Sequence, residues 1–136
     1  MNKEYVTLET AKLLKKKGFN EWCEWVYEDQ GITHSTIDAD FAGHSNSNLE
    51  SNQYAIPLQS QAQTWLRERH RVDVIVHIAV DFDSEYNEES FGGYSVWIID
   101  HKGWICKRSN SQSIRKVFPL YEDALEIGLK TALDSI

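Results

Sequence analysis

Residues 72–100 read VDVIVHIAVDFDSEYNEESFGGYSVWIID. Val72, Val74, Val76, Ile78, Val80 and Phe82 recur with period two, the spacing that places side chains on one face of a β-strand. Ile75 and Ala79 partly cover the other face, so Val72–Phe82 is expected to be a central strand with apolar neighbours on both sides. His77 shares that second face, where a lone imidazole is usually a hydrogen-bonded core residue rather than a ligand. The acids and glycines of Asp81–Gly93 read as a loop, and Tyr94–Asp100 reads as the next strand.

Downstream, the turn DHKG uses Gly103, and Trp104–Arg108 is expected to return as a hairpin partner. Ser109–Ser113 is a polar linker, and Ile114–Phe118 is read as a short edge strand protected by Arg115 and Lys116. After Pro119, the run LYEDALEIGLKTALDSI carries an apolar stripe of Tyr121, Leu125, Gly128, Leu129, Ala132 and Ile136 at helical spacing. Glycine costs about 1 kcal/mol against alanine inside a helix, so Gly128 on that stripe implies a close approach to the sheet.

Upstream, Pro57 opens a second helix with Leu58, Ala62, Trp65 and Leu66 on one face. The first helix is signalled by Thr7 as cap, Glu9 in the first turn, and Leu8, Ala11 and Leu14 on one side. Lys15, Lys16 and Lys17 suit its negative end, and Gly18 followed by Phe19 supplies the stop. Trp22–Tyr27 alternates as a strand, turns at Glu28–Gly31, and returns over Ile32–Ile37. Asp38–Ile56, containing HSNSNLESNQ, has no apolar periodicity and reads as a long loop, a usual place for function. The fold class expected is α+β, an antiparallel or mixed sheet of about five strands with three helices, in the order α-β-β-α-β-β-β-α, within a single domain over 1–136.

Charge narrows the function classes. Lys plus Arg is 14 and Asp plus Glu is 21, for a net charge of −7, which opposes generic binding to phosphate backbones. Gly18–Leu66 contains no Lys or Arg but holds Glu21, Glu24, Glu28, Asp29, Asp38, Asp40 and Glu50. A nucleic-acid module would need Lys12, Lys15–Lys17, Arg67, Arg69 and Arg71 to share a face. No apolar run approaches the roughly 18 residues of a membrane span. MNKEYVTLETAKLL lacks the apolar centre of a signal peptide, so a cytoplasmic chain without a membrane partner is expected. Cys23 and Cys106 sit in apolar runs and read as buried free thiols.

Motifs for chemistry are sparse. Asp81, Asp83 and Glu85 alternate like a calcium loop, but the sixth and twelfth positions are Tyr86 and Gly92 where an EF-hand needs Gly and Glu. They remain only weak cation candidates, and no metal or cofactor is expected. His34, Asp38, Asp40 and His44 could serve binding or acid–base work if the fold gathers them. There is no GxSxG elbow and no GxxxxGK phosphate loop, which points away from an enzyme.

Three stretches, ETAKLLKKKGF (9–19), IPLQSQAQTWLRERH (56–70) and YEDALEIGLKTAL (121–133), carry a resemblance. In their order and spacing the chain resembles a group of small uncharacterised proteins encoded by phages, prophages and other mobile elements of Bacteroides-like bacteria. One departure is Leu120, where the resemblance would put a threonine cap on the last helix. The resemblance bears on genomic setting and fold, and implies no activity. The leading expectation is a non-enzymatic accessory protein that binds another protein. The alternatives are an acidic DNA-mimic inhibitor of a host nuclease or restriction system, and a small hydrolase or metal-dependent enzyme using His34, Asp38, Asp40 or His44.

Overall fold

The computed structural model describes residues 3–28, 33–35, 43–101, 107–108 and 116–136. Helix α1 spans Leu8–Lys16. Its cap is Thr7, whose side chain accepts from the Thr10 N–H. It ends in a Schellman motif: Phe19 N–H donates to Leu14 O at 2.9 Å, and Gly18 N–H to Lys15 O at 3.2 Å. Gly18 sits at φ +96°, and Phe19 turns into the core, as the sequence predicts.

Two antiparallel sheets replace the single sheet of about five strands. In the first, β1 (Trp25–Glu28) lies between β2 (Thr33–Ser35) and β3 (Gln53–Ile56). In the second, β5 (Glu88–Asp100) lies between β4 (Val72–Asp83) and the two-residue β6 (Lys107–Arg108). Helix α2 spans Gln59–His70 and α3 spans Tyr121–Ser135. One hydrophobic cluster joins all these layers: Leu14 and Phe19, Ala55 and Ile56, Trp65 and Leu66, Val72, Val74, Val96 and Ile98, Leu129 and Leu133. The turn Glu28–Gly31, Cys106, and the strand readings at 104–106 and 114–115 lie wholly or partly outside the described residues.

The polar stretch after Gly43 is structure rather than loop. Asn46 is buried; its Nδ2 donates to Phe19 O at 2.8 Å, and its Oδ1 accepts from Ala55 N–H at 2.9 Å. Lys15 Nζ reaches across to donate to both Glu50 O and Gln53 O at 2.7 Å. A buried amide with both ends paired holds backbone that apolar periodicity does not reveal. The result is β3, which the sequence reading places in a loop.

The helix α3 lies on the sheet where β4 and β5 begin to pair, and Gly128 is the point of closest approach. A Cβ built there would stand 2.6 Å from Val74 Cγ1 and 2.6 Å from Val96 Cγ2. The expected close packing of this glycine on the sheet is therefore present.

Among the described residues β4 is not central: it is the outer strand of its sheet, and it pairs with β5 from Val72↔Asp100 to Asp83↔Glu88. The expected loop Asp81–Gly93 is mostly ladder, and the turn occupies only residues 84–87. Strand pairing propagates past the core because each cross-strand pair satisfies backbone groups whether or not the side chains are buried.

Candidate interaction surface

The even-numbered face of β4 changes character along its length. Val72 and Val74 are fully buried against the helices. Ile78, Val80 and Phe82, on the same face by strand alternation, are 60%, 54% and 60% exposed. The reason is the length of α3. The helix begins at Tyr121, whose ring meets Tyr94 edge-on at 5.7 Å. Tyr94 in turn pairs across the ladder with Ile78 and meets Phe91 edge-on at 5.1 Å. No described helix covers the sheet beyond this aromatic row, yet the hairpin continues for about 20 Å at roughly 3.3 Å per residue.

A bulge lies at the boundary. The register shifts between Ala79 and Val80, so that Gly93 faces Ala79 and Phe91 faces Val80, leaving Gly92 as the extra residue. A side chain on Gly92 would strike the Asp81 carboxylate, whose atoms lie 2.9–3.0 Å from its Cβ position. Gly93 has φ +117°, and its Cβ position is 2.6 Å from Val117 Cγ1. Next to it, Tyr94 and Phe118 exchange two backbone hydrogen bonds of 2.7 Å. The arm is thus tied down at Tyr94 and projects beyond it.

Charge on the arm has one sign. Between Arg71 and Lys102 there is no Lys or Arg. Asp81, Asp83, Glu85, Glu88 and Glu89 are all exposed. Asp83 stands directly across from Glu88, a like-charge pair that weakens the ladder. At the root of the arm Asp73 is compensated, by Arg67 Nε at 2.8 Å and His101 Nε2 at 2.7 Å.

The opposite face carries Ile75, Trp97 and His77, with the His77 and Trp97 rings 4.7 Å apart. Nε2 of His77 is buried without a hydrogen-bond partner among the described residues, so the expected hydrogen-bonded core histidine is met only at Nδ1, 3.4 Å from Ile78 O.

The residues proposed from sequence fare differently. His34 lies in β2, paired with Val26. Asp38 and Asp40 lie outside the described residues. His44 forms a two-bond backbone bridge with Cys23, at 2.7 and 2.8 Å, and burial lowers its pKa from the usual imidazole value. Cys23 itself is a buried free thiol; burial, helped by the nearby Glu21 carboxylate, pushes its pKa up to about 12. Asp83 Oδ1 accepts from the Glu85 N–H in the turn. Asp81, Asp83 and Glu85 do not form a metal cluster, because no three His, Cys, Asp or Glu side chains among the described residues converge on one point.

Elsewhere, charged groups serve the fold. Glu126 accepts from Thr7 N–H at 2.8 Å, at the start of α1, and from the buried Gln59 Nε2 at 2.9 Å, at the start of α2. Glu126 borders a hollow of about 270 Å³ lined also by Lys3, Tyr5, Gln59, Glu122 and Asp123. Lys17 donates to Ile136 O at 2.6 Å. Lys12 and Lys15 lie 5.5 and 5.1 Å from the Tyr54 ring centroid. Lys17 and Arg69 share a hollow of about 460 Å³ with Glu21 and His70, at the C-terminal ends of α1 and α2, where basic groups offset the helix dipoles.

The arm is the feature that sequence reasoning missed. Its signal was present in the row from Ile78 to Phe82, continuing an apolar alternation into a stretch of acids. No helix among the described residues is long and apolar enough to cross a membrane. Comparison with protein-family models, curated proteins and solved structures found no match.

Proposed function

We propose that the chain works without catalysis, as a cytoplasmic accessory protein of a phage or mobile element, by binding another protein through the β4–β5 arm. The observation that carries this reading is the contiguous row Ile78, Val80, Phe82 and Phe91, left open to water beyond the helices. With each side chain more than half exposed, the row offers apolar surface on the order of 400 Å², near the largest patch of an ordinary monomer and rimmed by charge. Such a patch contributes nothing to the core it extends from.

The DNA-mimic reading draws on the net charge of −7 and on the stretch Gly18–Leu66, which has no Lys or Arg. Against it, Lys12 and Lys15 from α1 lie over Tyr54 of that stretch. The hydrolase reading uses His34, Asp38, Asp40 or His44, of which Asp38 and Asp40 lie outside the described residues.

The test is quantitative affinity capture from cells carrying the element. It compares the wild-type chain, the double variant Val80→Ser/Phe91→Ser, and His44→Ala. One stoichiometric protein lost only with the arm variant supports the reading. Identical captures from wild type and arm variant, or loss with His44→Ala alone, would overturn it.

A further inference from the structure

We infer that the segment bound by the arm is a strand of alternating apolar and Lys or Arg residues, added to the open edge of β4. The inference rests on the proposed use of the arm, and it names the partner's chemistry.

The edge comes first. β4 ends its sheet, and no strand among the described residues pairs with its outer side. Near the root, the Gln63 side chain from α2 donates to Val74 O and occupies the edge there. The α2 contacts made by side chains fall at Asp73 and Val74, from Arg67 and Gln63. Exposed edges are usually blunted by charge, by Pro or by a bulge on the edge strand, and the charges of β4 are all acids, which repel a like-charged strand and not a basic one. β4, VDVIVHIAVDFD, has no Lys, Arg or Pro, and the extra residue of the bulge belongs to β5. The edge is therefore competent to accept another strand.

Alternation then dictates what that strand must carry. Residues on one of its faces fall beside Ile78, Val80 and Phe82, so they must be apolar to extend the row. Residues on the other face fall beside Asp81 and Asp83, which stand opposite Ser90 and Glu88. Positive side chains there relieve the repulsion between Asp83 and Glu88. A second copy of this chain fits poorly, because antiparallel pairing of two distal β4 edges brings Asp81 and Asp83 of both copies close together without a Lys or Arg on either arm.

The probe is a fluorescent decapeptide alternating lysine with valine and phenylalanine, titrated against the full chain by anisotropy. A peptide of the same composition with its lysines in one block controls for bulk charge, and a glutamate-for-lysine version controls for apolar pairing. The alternating lysine peptide should bind at least ten-fold tighter than either control. It should weaken at least ten-fold in Val80→Ser/Phe82→Ser, whose far-UV circular dichroism should match wild type because both sites are exposed. Amide hydrogen exchange should slow at residues 76–83 on binding. Equal binding of the blocked peptide, unchanged binding by the variant, or no binding of the alternating peptide overturns the inference. Sedimentation velocity separates the two levels: a dimer that Val80→Ser/Phe82→Ser dissolves overturns the cationic partner yet keeps the arm as a binding surface. Unaltered captures with the arm variant remove both.

Discussion

Gly128→Ala sets two effects of known sign against each other. In an open helix the change should stabilise by about 1 kcal/mol, since alanine is the better helix former. Here the new methyl would sit 2.6 Å from a methyl of Val74 and 2.6 Å from a methyl of Val96, about 1 Å inside normal carbon–carbon contact. Neither valine can yield easily. Both are almost fully buried, and β-branched side chains are stiff at χ1. Lifting α3 by about 1 Å would relieve the clash but loosen Leu125, Leu129 and Ala132 against the core. Overpacking of this kind costs about 1–3 kcal/mol. Two hard contacts place the cost at the upper end, so the net effect should be destabilisation by about 1–2 kcal/mol. The assay is urea unfolding of wild type, Gly128→Ala, Val96→Ala and the double variant. Val96→Ala alone should cost about 2 kcal/mol through its two lost methyl groups and the cavity they leave. In the double variant the alanine methyl partly fills that space, so the sum of the single effects should exceed the double by at least ~1 kcal/mol. A Gly128→Ala midpoint at or above wild type with unchanged m, or strict additivity in the cycle, would refute the close-approach reasoning.

Asn46→Ala should destabilise by about 2–4 kcal/mol, because Phe19 O and Ala55 N–H both lose their partner inside the protein; chemical denaturation measures it. Val80→Ser/Phe91→Ser should change stability by less than about 1 kcal/mol while lowering binding of a hydrophobic dye, since both side chains are mostly in water. Cys23 should resist a thiol reagent at pH 8 in the native state and react at once in urea. Its folded-state pKa is raised from 9.0 to about 12, so its contribution to stability is present below pH 9 and should fall as pH climbs toward 12, checked by denaturation at stepped pH against Cys23→Ala. His44 works in the opposite direction: burial lowers its pKa, so its contribution is present above the usual imidazole pKa of 6.5 and declines as pH falls below it, a slope that His44→Gln should reduce.

The helices were legible because their ends are written in residue chemistry. Thr7, Gly18 and Phe19 form the cap and Schellman contacts that their types predict. Gly128 announced a close packing that the structure contains. Pro57 marked the second helix, although the helix itself starts two residues later at Gln59. The sheets were less legible, for two physical reasons. β3 is held by Asn46 and by Lys15 reaching from another helix, and both are polar, long-range contacts with no local period. The division into two sheets depends on which strand edges meet, and alternation along one strand carries no information about its neighbours. His34, Asp38, Asp40 and His44 stand out by residue type, as two imidazoles and two carboxylates at the start of a long polar stretch. From Gly43 onward that polarity is largely spent on backbone hydrogen bonds.

The reading of Val72–Phe82 as a central strand failed in an informative way. Its alternation is real, but only Val72 and Val74 are fully buried on that face. In a protein under selection for stability alone, the distal positions of such a ribbon would be polar, since a two-stranded extension is marginal in water and an exposed apolar row contributes no folding energy. The acids do not explain the row either. Charge keeps an edge from aggregating, yet polar residues at 78, 80 and 82 would do so more directly. An apolar row kept soluble by surrounding acids is what a surface needs if it must stay open alone and close on a partner of opposite charge. The core accounts for α1 to α3 and the roots of both sheets; the proposed binding role accounts for the apolar row of the distal arm.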